Sequence, residues 1–150
     1  MKQNNKLSNP NKIKLYSYLC LLEDELKGTF GSYNDNSKQL VDFLEAEKIF
    51  LNSLTESNKK KCGQYKHFLL CNLRKPEIFK NITGNDKAYL YLKHIRNAIA
   101  HGNVMSINKL WFSIKDYSGQ GTTTGEGKIQ CGVFFRLIDE LLRSRRNSIF

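Results

Sequence analysis

The stretch YLKHIRNAIAHG, Tyr91 to Gly102, sets Arg96, Asn97 and His101 close together, with Lys93 and His94 just ahead of them. Breaking an RNA phosphodiester takes a base beside the 2′-hydroxyl, an acid beside the leaving oxygen and a cation for the phosphate charge. Histidine titrates near neutrality and serves either proton-transfer role. Arginine stays charged and offers phosphate a bidentate fork. Asn97, one helical turn before His101, is placed to orient its ring. Each residue taken alone also has an ordinary reading. Arg96 can sit in a surface ion pair, and His101 can be a cation at a helix C-terminus.

These residues need a helix to position them. At about 100° per residue, Ala88, Leu92, Ile95, Ile99 and Gly102 share one face, the expected core stripe. Leu90, His94, Asn97 and His101 share the opposite face, at intervals of 4, 3 and 4 residues. A solvated face would carry charges. Two imidazoles, an amide and a leucine suit a protein partner with a polar pocket better. Arg96 lies between the two faces, about 140° around the axis from His101.

Around this helix the chain reads as mainly α. Asn9-Pro10 suits a helix start before Ile13, Tyr16, Leu19, Cys20, Leu22 and Leu26, with Gly28 at its end. Leu40, Phe43, Leu44, Phe50, Leu51 and Leu54 mark a second helix. Tyr65, Phe68, Leu69 and Leu73 suggest a third from about Lys60 to Arg74, stopped by Pro76. Thr83, Asn85 or Asp86 would cap the fourth, which ends at Gly102. KLWFSIKDY alternates apolar Leu110, Phe112 and Ile114 as a strand does, and KIQC offers a return strand across the SGQGTTTGEG loop. Phe134, Leu137, Ile138, Leu141 and Leu142 mark a last helix. The expected architecture is a helical bundle with a β-hairpin inserted before the C-terminal helix.

The Gly-rich loop is no P-loop, since Thr122 stands where the first glycine belongs and Ile129 follows Gly127-Lys128. The 150 residues read as a single domain behind a flexible tail of about ten residues, 40% hydrophobic and 25% charged. The polar start MKQNNKLSNPNK lacks a signal peptide's apolar core, and no run approaches the length of a membrane span. A cytoplasmic protein is expected. Cys20, Cys62, Cys71 and Cys131 form no C-x-x-C pair, so free, buried thiols are expected rather than a zinc ribbon or disulfide scaffold. His67 has no companion pattern and reads as structural or surface. A net charge of +10 draws a polyanion, RNA or DNA being the usual one, although Lys-rich composition alone can raise it. Arg143, Arg145 and Arg146 are the densest basic cluster, either a solvated helix end or a phosphate-tracking patch.

RNAIAHG, with HI just before it, resembles the R-N-x-x-x-H signature of the HEPN superfamily (higher eukaryotes and prokaryotes nucleotide-binding). The LWF-bearing hairpin and closing helix also resemble small stand-alone HEPN proteins. The motif covers a small part of the chain and the helical plan nearly all of it. The resemblance implies a HEPN-like helical bundle and an endoribonuclease that needs no metal or cofactor and works as a homodimer, with the motif residues of both subunits meeting at the interface. It implies Arg96 as phosphate binder, His101 as catalytic histidine and Asn97 as their polar support. Lys93, His94 and the Arg143–Arg145–Arg146 cluster would contact RNA, and the dimer would form through the Leu90–His94–Asn97–His101 face. Toxin–antitoxin modules and anti-phage defence are common settings of such proteins, which raises an antitoxin or defence-system partner. Asn103 stands where toxins silenced by a nucleotidyltransferase carry Tyr, which puts that control in doubt. The alternative is a HEPN-type module that binds RNA or nucleotide, or dimerises, without cutting.

Overall fold

The computed structural model describes residues 6–27, 32–74, 77 and 87–145. Among these described residues five α-helices and five strands follow in the order α1 (Asn9–Glu25), α2 (Lys38–Glu47), β1 (Ile49–Ser53), α3 (Glu56–Lys61), β2 (His67–Cys71), α4 (Lys87–Ala100), β3 (Val104–Ile107), β4 (Trp111–Tyr117), β5 (Thr123–Gln130) and α5 (Cys131–Arg143). The strands form one mixed sheet, β1-β2-β5-β4-β3, with β1 and β2 parallel and every other pair antiparallel. This is an α+β fold, and it corrects the expected mainly α, HEPN-like bundle.

The correction has local causes. The expected second helix ends at Glu47, because Lys48 takes a left-handed φ of 56° and turns the chain into β1. Phe50 and Leu51 therefore belong to a strand. Of the expected third helix only Lys60 and Lys61 are α-helical, at the end of the short α3, which is followed by a 3-10 turn at Cys62–Gln64 and then β2. FLLC is too short and too uniformly apolar for its period to separate a helix from a central strand. Buried between β1 and β5, it is a strand, with Leu69, Leu70 and Cys71 at 1% exposure or less. Beyond the expected hairpin, Val104–Ile107 adds an edge strand, and most of TTTGEG joins β5 rather than a loop.

Other expectations hold. Ser8 caps α1 by accepting from the Asn11 amide at 3.2 Å, and α5 buries Phe134, Leu137, Ile138 and Leu141. Gly28, Pro76 and the proposed caps Thr83, Asn85 and Asp86 lie outside the described residues. The start of α4 is instead met from afar. Both carboxylate oxygens of Asp35 accept its first described amides, Lys87 at 2.9 Å and Ala88 at 2.8 Å, where a negative charge is favoured. Gly102, at φ 72°, ends the helix in the left-handed region.

The core lies where α4 meets α1, α5 and the sheet. Leu92, Ile95, Phe112, Ile129, Phe134 and Ile138 are fully buried there, and Phe112 meets Phe134 and Phe135 edge-on at 5.4 and 5.7 Å. Cys71 is buried as expected, but Cys20 is exposed on α1 and Cys62 and Cys131 are half-buried. Among the described residues no helix is long and apolar enough to cross a membrane.

Candidate functional site

The predicted core stripe of α4 is buried at Ala88, Leu92 and Ile95, but burial does not stop there. Tyr89, Leu90 and Tyr91 are also covered, each at 5–6% exposure. The face expected to meet a second subunit thus begins in the interior. Leu90 is buried, and His94 and Asn97 are half-buried against Asp116 of β4, while all three line one cleft. Only the last member of that face, His101, is exposed.

β4 supplies a residue that was not singled out from the sequence. Its inward positions are Phe112, Ile114 and Asp116, so a carboxylate occupies the third core position at 2% exposure. A buried charge is costly unless it is paired and hydrogen-bonded. Asp116 Oδ2 lies 2.7 Å from His94 Nδ1 and accepts from Asn97 Nδ2 at 3.5 Å. The other ring nitrogen of His94, Nε2, faces the Asn72 carbonyl at 2.8 Å. A neutral imidazole has one N–H and satisfies one of these two acceptors, whereas the imidazolium satisfies both.

Asn97 connects this pair to Arg96. Its Oδ1 accepts from Arg96 Nε at 3.1 Å and Nη2 at 2.9 Å, and the guanidinium then reaches toward Glu23 of α1, 3.9 Å from Nη1. A polar network therefore runs from Glu23 through Arg96, Asn97 and Asp116 to His94. Asn97 was expected to orient His101. Its side chain instead holds Arg96 and Asp116, and its backbone carbonyl accepts from the His101 amide at 3.0 Å.

His94, Asn97 and Asp116 lie in the wall of a cleft of about 470 Å³, with Asn72, Arg74 and Lys93 around it. That volume is in the range of small-molecule sites. Lys93 and His94, both expected to touch RNA, are thus brought together, and Arg74 is a cation that the sequence reading passed over. Beneath them, burial and then the Asp116 charge push the Cys71 thiol far above its ordinary range, so it serves as packing and not as a nucleophile.

The remaining candidates lie elsewhere. Arg143 is exposed and pairs with Glu140 at 2.7 Å; Arg145 is tied to Glu25 at 2.9 Å. Arg146 lies outside the described residues. The cluster is thus partly neutralised rather than a free patch. His67 is fully buried, its Nδ1 2.9 Å from the Glu47 carbonyl. Among the described residues no three His, Cys, Asp or Glu side chains are grouped to hold a metal.

The signal for Asp116 was in the sequence. It continues the apolar alternation of Phe112 and Ile114 in phase, and a carboxylate in a core register asks for a buried partner. No protein-family model matches the chain, no curated protein is significantly similar to it, and no solved structure matches it.

Proposed function

We propose that the chain is an endoribonuclease that cleaves RNA by 2′-hydroxyl attack without a metal, with α4 as its catalytic element. The observation that carries this reading is the fork of Arg96 held by Asn97 on the same helix, one turn before a histidine open to solvent. A guanidinium fixed by two hydrogen bonds is set for phosphate, and an exposed imidazole is free to take or give a proton. The net charge of +10 supports a polyanionic substrate. The R-N-x-x-x-H resemblance supports the same roles for Arg96 and His101.

The dimer belongs to this proposal, through a different surface from the one first expected. Ile13 and Tyr16 on α1 are each 68% exposed. Beside Tyr16, a cleft of about 300 Å³ runs along Leu19, Ile99, Ala100 and Gly102, the last two being the chain neighbours of His101. A second copy seated on this apolar strip would bury it and bring its own His101 to the first chain, in the self-matching manner of two-fold dimers. A toxin–antitoxin or anti-phage role in the cytoplasm, with an antitoxin or defence partner, rests on the motif resemblance alone.

The test is cleavage of a structured RNA by the wild-type protein and by Arg96→Ala. The variant should lose about 10²–10³-fold, the cost of removing one preorganised group that stabilises transition-state charge. Wild-type protein that binds the RNA and leaves it intact would favour a second reading, a module that holds RNA without cutting. The approach of Arg96 to Glu23 speaks for that reading, since a paired guanidinium has less charge to offer phosphate.

A further inference from the structure

Seating Asp116 requires a concession from the neighbouring strand. Its register partner on β5 is Gly125, where a Cβ would lie 3.2 Å from Asp116 Cβ and 3.7 Å from both Cβ and Nδ1 of His94. A side chain at position 125 would crowd the pair, and the strand carries none. Asp116 keeps one further feature. Its Oδ1 is buried with no hydrogen-bond partner among the described residues, so the carboxylate is committed to His94 and Asn97 through Oδ2 alone.

The geometry has directional content. A carboxylate on Nδ1 fixes the ring and directs Nε2 away from itself, the relation that makes a histidine an efficient proton carrier. Here Nε2 points to the Asn72 carbonyl in the wall of the cleft, at the exposed end of β2. Lys93 and Arg74 stand on the same cleft and are in no ion pair among the described residues, while Glu77 is its other carboxylate. The sides of the cleft thus offer cations for a phosphate next to an oriented N–H.

We infer that His94 is the general acid of the proposed RNA cleavage and that Asp116 is its positioning residue; this rests on the ribonuclease reading above. In the step, the 2′-oxygen bonds to phosphorus as the bond from phosphorus to O5′ breaks. The 2′-hydroxyl proton passes to the base, and the Nε2 proton of His94 passes to O5′. The products are a 2′,3′-cyclic phosphate and a 5′-hydroxyl, and His94 recovers its proton from water. O5′ takes the place that the Asn72 carbonyl holds at rest. His101 of the same chain lies seven residues on, about 10 Å along the helix axis, too far to act on the same phosphorus. The base is a separate group, and a second copy that presents its His101 at this cleft would supply it.

The test uses two RNA substrates that differ in one atom, the ordinary linkage and one with sulfur in place of the bridging O5′. A thiolate leaves without being protonated, so it does not need the acid. His94→Gln should be about 10²–10⁴-fold slower than wild type on the oxygen linkage and close to wild type on the sulfur one. His101→Ala should be slow on both. Asp116→Asn should lower kcat on the oxygen linkage with KM unchanged and recover on the sulfur linkage, and it carries the test if His94→Gln fails to fold by circular dichroism. His94→Gln or Asp116→Asn equally slow on both linkages, or fully active on both, would overturn the assignment while the ribonuclease reading stands. A wild-type protein inert on both would overturn that reading and this inference with it.

Discussion

The middle of α4 and the turn just past it carry the same residue type in opposite circumstances. His94 has a side chain 13% exposed, with both ring nitrogens held by acceptors from β4 and the end of β2. His101 sits one residue beyond the helix, exposed, before a glycine in the left-handed region. The first position trades freedom for orientation and the second trades orientation for access. One helix therefore offers a fixed proton carrier and a free one, and substitutions around the two should fail in different ways.

The largest effect expected is at the free histidine. His101→Ala should cost about 10²–10⁴-fold in RNA cleavage and leave stability within about 0.5 kcal/mol, as for surface changes in general. Paired kinetics and denaturant melts check this; a large loss of stability would mean that His101 is not a free side chain. Around the fixed histidine the balance reverses. Asp116→Ala strands His94 and Asn97 in a buried setting and should destabilise the fold by about 3 kcal/mol, the scale for breaking a buried pair. A urea midpoint unchanged from wild type would remove the contrast between the two histidines.

Smaller effects sharpen the picture. Lys93→Ala, on the cleft, should reduce the slope of log affinity against log salt for single-stranded RNA by about 0.7, one phosphate contact. Arg145→Ala should leave that slope unchanged, because Glu25 already holds the guanidinium. A salt titration of both variants separates the cleft from the C-terminal cluster as the RNA track.

The smallest effect concerns how α1 is held beside His101. Tyr18 stacks on Phe135 and donates to Asp139 at 2.8 Å. Burial, then the Asp139 hydrogen bond and charge, push its phenol up to about 12 from 10.0. The folded state thus keeps a proton that the unfolded chain gives up sooner. Its contribution is fully present below pH 10 and is lost as pH rises through about 12. Alkaline melts should show that loss, and Tyr18→Phe should weaken it. A variant with the same alkaline profile would place the titration elsewhere.

Legibility differed between these regions for physical reasons. α4, α5 and the hairpin were readable because their apolar periods are clear and Gly102 marks the end of α4, whereas α1 was placed by Asn9-Pro10 at its start although Ile13 and Tyr16 of its expected stripe are exposed. β1 and β2 were not, because IFLNS and HFLLC are too short to express a period, and only pairing across the sheet tells strand from helix. Within the site, Lys93, His94, Arg96 and Asn97 were legible as a helical cluster. Their partners Asp116, Asn72 and Gly125 were not, since they come from separate strands that only the sheet registers bring to α4. A helical wheel locates Leu90 and His94 on a common face, but it does not reveal that Asp116 of β4 already holds His94.

The most direct test of the central claim is the chemistry of the cut. Wild-type protein incubated with a structured RNA in excess EDTA should cleave at its full rate and leave 5′-hydroxyl ends opposite 2′,3′-cyclic or 3′-phosphates. Activity that returns only with a divalent ion, or 5′-phosphate ends, would contradict 2′-hydroxyl attack driven by Arg96 and the histidines of α4.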